Sequence, residues 1–133
     1  MSDLITPIVI GLHLATAHFG QPADLQLQAA TPGIYLRSAA GLTVGAYHNS
    51  QGAASAYAGW TWSTADGRWS ITAGAVTGYP RAKVSALLAP SVRLPLAGVL
   101  GDAATGWAAR LAYLPKPHSR GAHGLHLSLE RAL

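Results

Sequence analysis

Residues 41 to 63 read GLTVGAYHNSQGAASAYAGWTWS, two runs that alternate at period two around a polar, glycine-containing break at Asn49 to Gly52. Successive strand side chains point to opposite faces, so paired runs of this kind around a turn read as a β-hairpin. On the second arm Ala56, Ala58, Trp60 and Trp62 share one face, while Ser55, Tyr57, Gly59, Thr61 and Ser63 share the other. The stretch also holds the densest set of chemically capable side chains in the sequence: Tyr47, His48, Asn49, Ser50, Ser55 and Tyr57. From Ser38 to Ala65 there is no Lys, Arg, Asp or Glu. That is odd for a hairpin in water and ordinary for one that touches lipid.

The same alternation extends outward along the chain. Ile8, Ile10, Leu12 and Leu14 alternate with Val9, Gly11, His13 and Ala15, which predicts a first strand over residues 8–18. A second extended run begins near Leu25 and resumes at Ile34; Pro32 has no ladder donor, so a break or bulge is expected there. Asp66-Gly67 is a hairpin signal leading into Trp69 to Tyr79. Val84 to Leu96 carries Pro90 and Pro95 and reads as an irregular or edge strand, before Gly98 to Ala104 turns the chain back. Trp107, Ala109, Leu111 and Tyr113 alternate with Ala108, Arg110 and Ala112; Leu125, Leu127 and Leu129 alternate with His126, Ser128 and Glu130. These runs predict eight strands joined by short turns, with no helical segment. The fold class that follows is all-β, a single domain over residues 1–133 forming an eight-stranded antiparallel up-and-down β-barrel.

Composition narrows the function classes. Of 133 residues half are apolar and 11% charged, against about 25% charged in ordinary soluble domains. The net charge of +4 comes from nine scattered basic residues against five acidic ones. No helix collects them into a stripe, which argues against a nucleic-acid partner. With no cysteine there is neither a disulfide framework nor a thiolate metal site. Pro7 to Ala17 is apolar, yet the only charge ahead of it is Asp3, so it does not read as a signal peptide. No run reaches the roughly 20 apolar residues of a membrane helix, so any contact with lipid is made by strands.

Facing decides what the barrel touches. If Trp60, Trp62, Trp107, Leu125, Leu127 and Leu129 point outward, Tyr57, Arg110, His126, Ser128 and Glu130 fill the lumen, and Arg110 and Glu130 sit on neighbouring strands where they can pair. That arrangement is the one found in small membrane barrels. The reverse gives an apolar core with Arg110 and Glu130 in water.

Six histidines raise the question of a metal. His13 and His18 differ in parity and should face opposite sides of a strand, while His118, His123 and His126 lie in or beside a Pro/Gly-rich loop without a recognised ligand spacing. No metal and no cofactor are expected. A serine beside an imidazole can be activated for acyl transfer, which singles out His13 with the Asn49-Ser50 pair. Asn and Ser are equally at home in a turn.

Several segments, taken in order, resemble the lipid A palmitoyltransferases. They are Ile8 to Phe19 with His13, TPGIYL at Thr31 to Leu36, the Gly41 to Trp62 hairpin, ITAGAVTGY at Ile71 to Tyr79, RLPLAGV at Arg93 to Val99 and LAYLP at Leu111 to Pro115. The resemblance implies an eight-stranded outer-membrane barrel that moves an acyl chain from a phospholipid. It assigns the catalytic histidine to His13 and places the family's adjacent aspartate and serine on Asn49 and Ser50. Serine is retained, whereas asparagine cannot stabilise an imidazolium by charge. It also implies that prolines interrupting the ladder, here Pro7, Pro32, Pro95 and Pro115, admit lipid sideways.

The expected partners are therefore a lipid or acyl chain, a membrane and, in the competing reading, a protein. In that reading the chain is a non-enzymatic barrel serving as a binding or structural module, such as a phage-particle component or an inhibitor of a host protein. The family's leader and the terminal aromatic of outer-membrane barrels have no counterpart in these residues, which suits a shortened, phage-encoded relative. The expected location is the outer membrane by resemblance, with a cytoplasmic or virion-associated protein as the alternative.

Overall fold

Period-two alternation runs along the strands of the computed structural model, broken in the first by a bulge; the structure describes residues 8–21, 23, 27–79, 82–115 and 122–133. The strands are β1 (Ile8–Phe19), β2 (Ala30–Ser38), β3 (Leu42–His48), β4 (Ala54–Ser63), β5 (Trp69–Tyr79), β6 (Ala82–Pro95), β7 (Trp107–Leu114) and β8 (His123–Ala132). Each pairs antiparallel with the next, and β8 pairs with β1 from Val9–Ala132 to Phe19–His123, closing an eight-stranded up-and-down barrel. Closure leaves no strand as an edge. β6 is accordingly a full member of the wall despite its two prolines, paired with β5 from Trp69–Val92 to Tyr79–Ala82.

The turns form for the reasons the sequence suggests. At Asp66-Gly67 the glycine adopts φ 73°, and the Asp66 carboxylate accepts from the Thr64 hydroxyl and the Arg68 backbone N–H. Those two donors hold its carboxyl below the usual range. The connection from β6 to β7 departs from expectation, because it contains a single helical turn, α1 (Ala97–Leu100), followed by a 3-10 turn at Asp102–Ala104. Val99 and Leu100 donate their N–H groups to the Leu96 carbonyl, and Gly101 at φ 86° ends the turn. One turn is too short to show as a period in the sequence.

Burial is inverted relative to a soluble domain. Among the described residues the buried apolar side chains are Tyr35, Val76, Ala89 and Ala108, whereas Thr16, Thr31, Thr43, Ser55, Arg110, His126, Ser128 and Glu130 are all buried. Leu12, Ile34, Leu36, Val44, Ile71, Leu88, Leu111, Leu125 and Leu127 are exposed on the outer wall, as are Trp62 and Trp69. The outward-Trp, outward-Leu facing is thus the one adopted. Large aliphatic and aromatic side chains gain about 1.5–3 kcal/mol each on full burial. Leaving roughly a dozen in water would forfeit an amount comparable to the 5–15 kcal/mol that stabilises a whole domain.

Charge is concentrated near one end of the lumen. Glu130, only 2% exposed, accepts from Arg110 through both oxygens (Nε to Oε2, 3.0 Å; Nη2 to Oε1, 2.8 Å), from Arg37 Nη2 at 3.0 Å and from the Tyr35 hydroxyl at 2.6 Å. Arg110 is further fixed by Nη1 donating to Ser70 and Ser91. The Arg110–Glu130 pair that the outward facing allows is formed, because β7 and β8 set Arg110 opposite Ser128, one diagonal step from Glu130. The Tyr35 ring lies against Gly11 and the Tyr57 ring against Gly45, where a Cβ would occupy the space the ring fills.

Candidate functional site

In an antiparallel barrel alternate connections emerge at the same end. The β1–β2, β3–β4, β5–β6 and β7–β8 connections share one rim, and the hairpin break at Asn49 to Gly52 belongs to it. There the Ser50 hydroxyl lies 2.8 Å from His18 Nε2, and both residues are half-buried. The Ser50 carbonyl also accepts from Gln28 N–H, which ties the turn to the connection that follows β1.

The imidazole at Ser50 is therefore His18, not His13. His13 lies deeper in the lumen with both ring nitrogens engaged, Nδ1 with His126 Nε2 at 2.7 Å and Nε2 with the Tyr57 hydroxyl at 2.8 Å. Its ring packs beside Tyr35 and Tyr47. His126 continues through Thr16 to Thr31 as a hydrogen-bonded chain inside the wall. The expectation that His13 stands with Ser50 is corrected by these contacts, and so is the parity argument that set His18 apart from His13. Between His13 and Ala15 the register slips: two steps of β1 cover one of β8 (Ser128 to Leu127) and three of β2 (Gly33 to Ala30). A bulge moves every later residue to the opposite face. His13, Thr16 and His18 consequently all turn inward while Leu12, Leu14, Ala17 and Phe19 are exposed.

Asn49 is wholly buried and entirely committed to the turn. Its Oδ1 accepts from the N–H groups of Gln51 (2.9 Å) and Ala53 (3.1 Å), and its Nδ2 donates to Ser55 Oγ and to the Gly78 carbonyl, both at 2.9 Å. Asn49 thus fixes the β3–β4 turn and its β5 neighbour, and through them the position of Ser50. None of its side-chain hydrogen bonds goes to His13 or His18. Asn49→Asp keeps the two acceptor bonds but removes both donors and sets a carboxylate oxygen against the Gly78 carbonyl. We expect it to lower unfolding stability in micelles by about 1–3 kcal/mol, read by urea denaturation. Unchanged stability would remove the turn-fixing role.

The ladder is irregular where prolines interrupt it. The slip between β1 and β2 falls at Thr31-Pro32, as expected for a strand proline. Between β6 and β7 the described register pairs run from Pro95–Ala108 to Ser91–Ala112 and stop at Pro90. Pro95 is the last residue of β6 and Pro115 directly follows β7, while Pro7 lies outside the described residues. His118 lies outside them too. At the same rim Phe19, Tyr113 and His123 stack, with ring centroids 5.0 to 6.5 Å apart.

Sequence reasoning missed His18, Tyr35 and Arg37. Pro32 was the available signal for His18, because a bulge beside it changes which residues share a face. Among the described residues no three His, Cys, Asp or Glu side chains gather as a metal site. In comparisons with known proteins, no family model, no curated protein and no solved structure matches the chain.

Proposed function

We propose that the chain is a lipid-embedded barrel that handles acyl chains, with Ser50 as nucleophile and His18 as general base in acyl transfer from a phospholipid ester. The inverted burial carries this reading: an outer wall of Leu, Ile, Val and Trp around a hydrogen-bonded polar lumen fits hydrocarbon and not water. The proline-marked seams at β1–β2 and β6–β7 support sideways entry of a lipid, since each lacks ladder bonds that would have to open. In the transfer, Ser50 Oγ attacks the ester carbonyl while its proton passes to His18 Nε2. The glycerol oxygen leaves with that proton, and the acyl group stays on Ser50. An acceptor hydroxyl, or water, then loses its proton to His18 and takes the acyl group, restoring Ser50.

A second reading, a non-enzymatic binding or structural barrel, has its own observation. His18 Nδ1 has no hydrogen-bond partner among the described residues, so no described carboxylate orients the ring, and Asn49 cannot do so from its turn. The purified protein is expected to need detergent to remain monodisperse in light scattering, and to transfer label from an acyl-labelled phospholipid in mixed micelles. Monodispersity in plain buffer would overturn lipid embedding. A detergent-dependent barrel that moves no label would leave the structural reading.

A further inference from the structure

The opposite end of the barrel carries an unbalanced cluster of charge. Arg37, Arg93 and Arg110 converge on the single carboxylate of Glu130, at 3.0, 3.8 and 2.8 Å respectively. Three positive charges on one negative leave a surplus of two inside the lumen. Glu130 is already saturated, since Arg110, Arg37 and Tyr35 supply its close hydrogen bonds. Arg93 is left over: its Nε stands beyond hydrogen-bond range of Oε1, its side chain is 35% exposed, and no other described residue accepts from its guanidinium.

All four groups line one cavity of about 240 Å³ that Ser63 also borders. A neighbouring cavity of about 340 Å³ shares Arg37 and Ser63 with it. Among the described residues the other acidic side chains at this end, Asp66 and Asp102, do not line either space. The surplus charge therefore has no internal counter-ion among the described residues. A planar guanidinium with free donors beside two fixed arginines matches the oxygens of a tetrahedral oxyanion.

From this imbalance we infer a phosphate-binding site at the end of the barrel opposite Ser50, with Arg93 as the donor that engages the ligand and Arg37 and Arg110 as fixed charges behind it. The ligand class is a phosphate or phosphate ester, supplied either by an anionic lipid headgroup or by free phosphate. The site does not rest on acyl transfer, and it would stand if Ser50 proved inert.

The test is calorimetric titration of the detergent-solubilised full chain with inorganic phosphate at low ionic strength. Native mass spectrometry of the protein in micelles doped with phosphatidic acid or phosphatidylcholine runs in parallel. Saturable phosphate binding is expected, weakened about tenfold or more by Arg93→Gln and partly restored by Arg93→Lys. The Arg93 side chain makes no hydrogen bond among the described residues, and its backbone bond to the Arg68 carbonyl survives substitution, so its variants should unfold like the parent, and urea denaturation of each checks this. Preferential retention of phosphatidic acid, lost in Arg93→Gln, assigns the site to a headgroup; phosphate binding without that preference assigns it to free phosphate. Absence of saturable binding to both probes, or equal affinity in Arg93→Gln, would overturn the site.

Discussion

Glu130→Ala should lower the unfolding stability of the barrel in micelles by about 3–5 kcal/mol, the range for removing one partner of a buried ion pair. The carboxylate is the acceptor for Arg110, Arg37 and Tyr35 at once, and its loss leaves two guanidinium groups and a phenol facing each other around a buried position. Glu130→Gln retains the shape and one acceptor oxygen, so its loss should be smaller. Combining Glu130→Leu with Arg110→Met removes the most deeply paired charges together and should recover part of the deficit, because two missing charges are better tolerated than one orphan. Urea unfolding monitored by tryptophan fluorescence measures all of these. A Glu130→Ala barrel within about 1 kcal/mol of the parent would show that the cluster is solvated and contributes little.

The second large effect concerns the rim. If Ser50 and His18 carry out acyl transfer, Ser50→Ala and His18→Asn should each reduce the rate by a factor on the order of 10²–10⁴, as for loss of an activated nucleophile or its base. The double variant should be little worse than either single one, since residues acting as a unit are non-additive. His13→Asn should act differently. His13 bonds His126 and Tyr57 in the lumen, so its removal should lower the urea midpoint while the folded fraction keeps its transfer rate. A His13 variant that loses transfer without losing stability, beside a His18 variant that loses neither, would return the base to His13.

What the sequence revealed follows from which interactions are local. Strand alternation needs only neighbouring residues, and so the barrel and the Asp66-Gly67 turn were legible; alternation alone left both facings of Trp60 and Trp62 open, and burial in the closed barrel decided between them. The Arg110–Glu130 pair was legible only as what the outward facing would allow between consecutive strands; its register, Arg110 opposite Ser128, came with the structure. The Ser50–His18 contact was not legible. It depends on a bulge that reverses the parity of β1 after His13, and the bulge is set by pairing with two different strands at once. Tyr35 and Arg37 were missed for a related reason. They reach Glu130 across β1 from β2 to β8, a neighbourhood that exists only once the barrel closes. The helical turn at Ala97–Leu100 lay below the length at which any period can be seen.

The bridge from His13 on β1 to Tyr57 on β4, packed beside Tyr47, spans almost half the circumference of the wall. Considered as plumbing, it gives the barrel a floor partway along its axis. Where that floor closes the lumen, the molecule is two shallow cups set back to back and not a pipe, and what enters by the arginine mouth leaves by it. In a bilayer the two cups would open at the headgroup levels of opposite leaflets. One chain would then meet two lipid populations without mixing them, and should leave the membrane electrically tight.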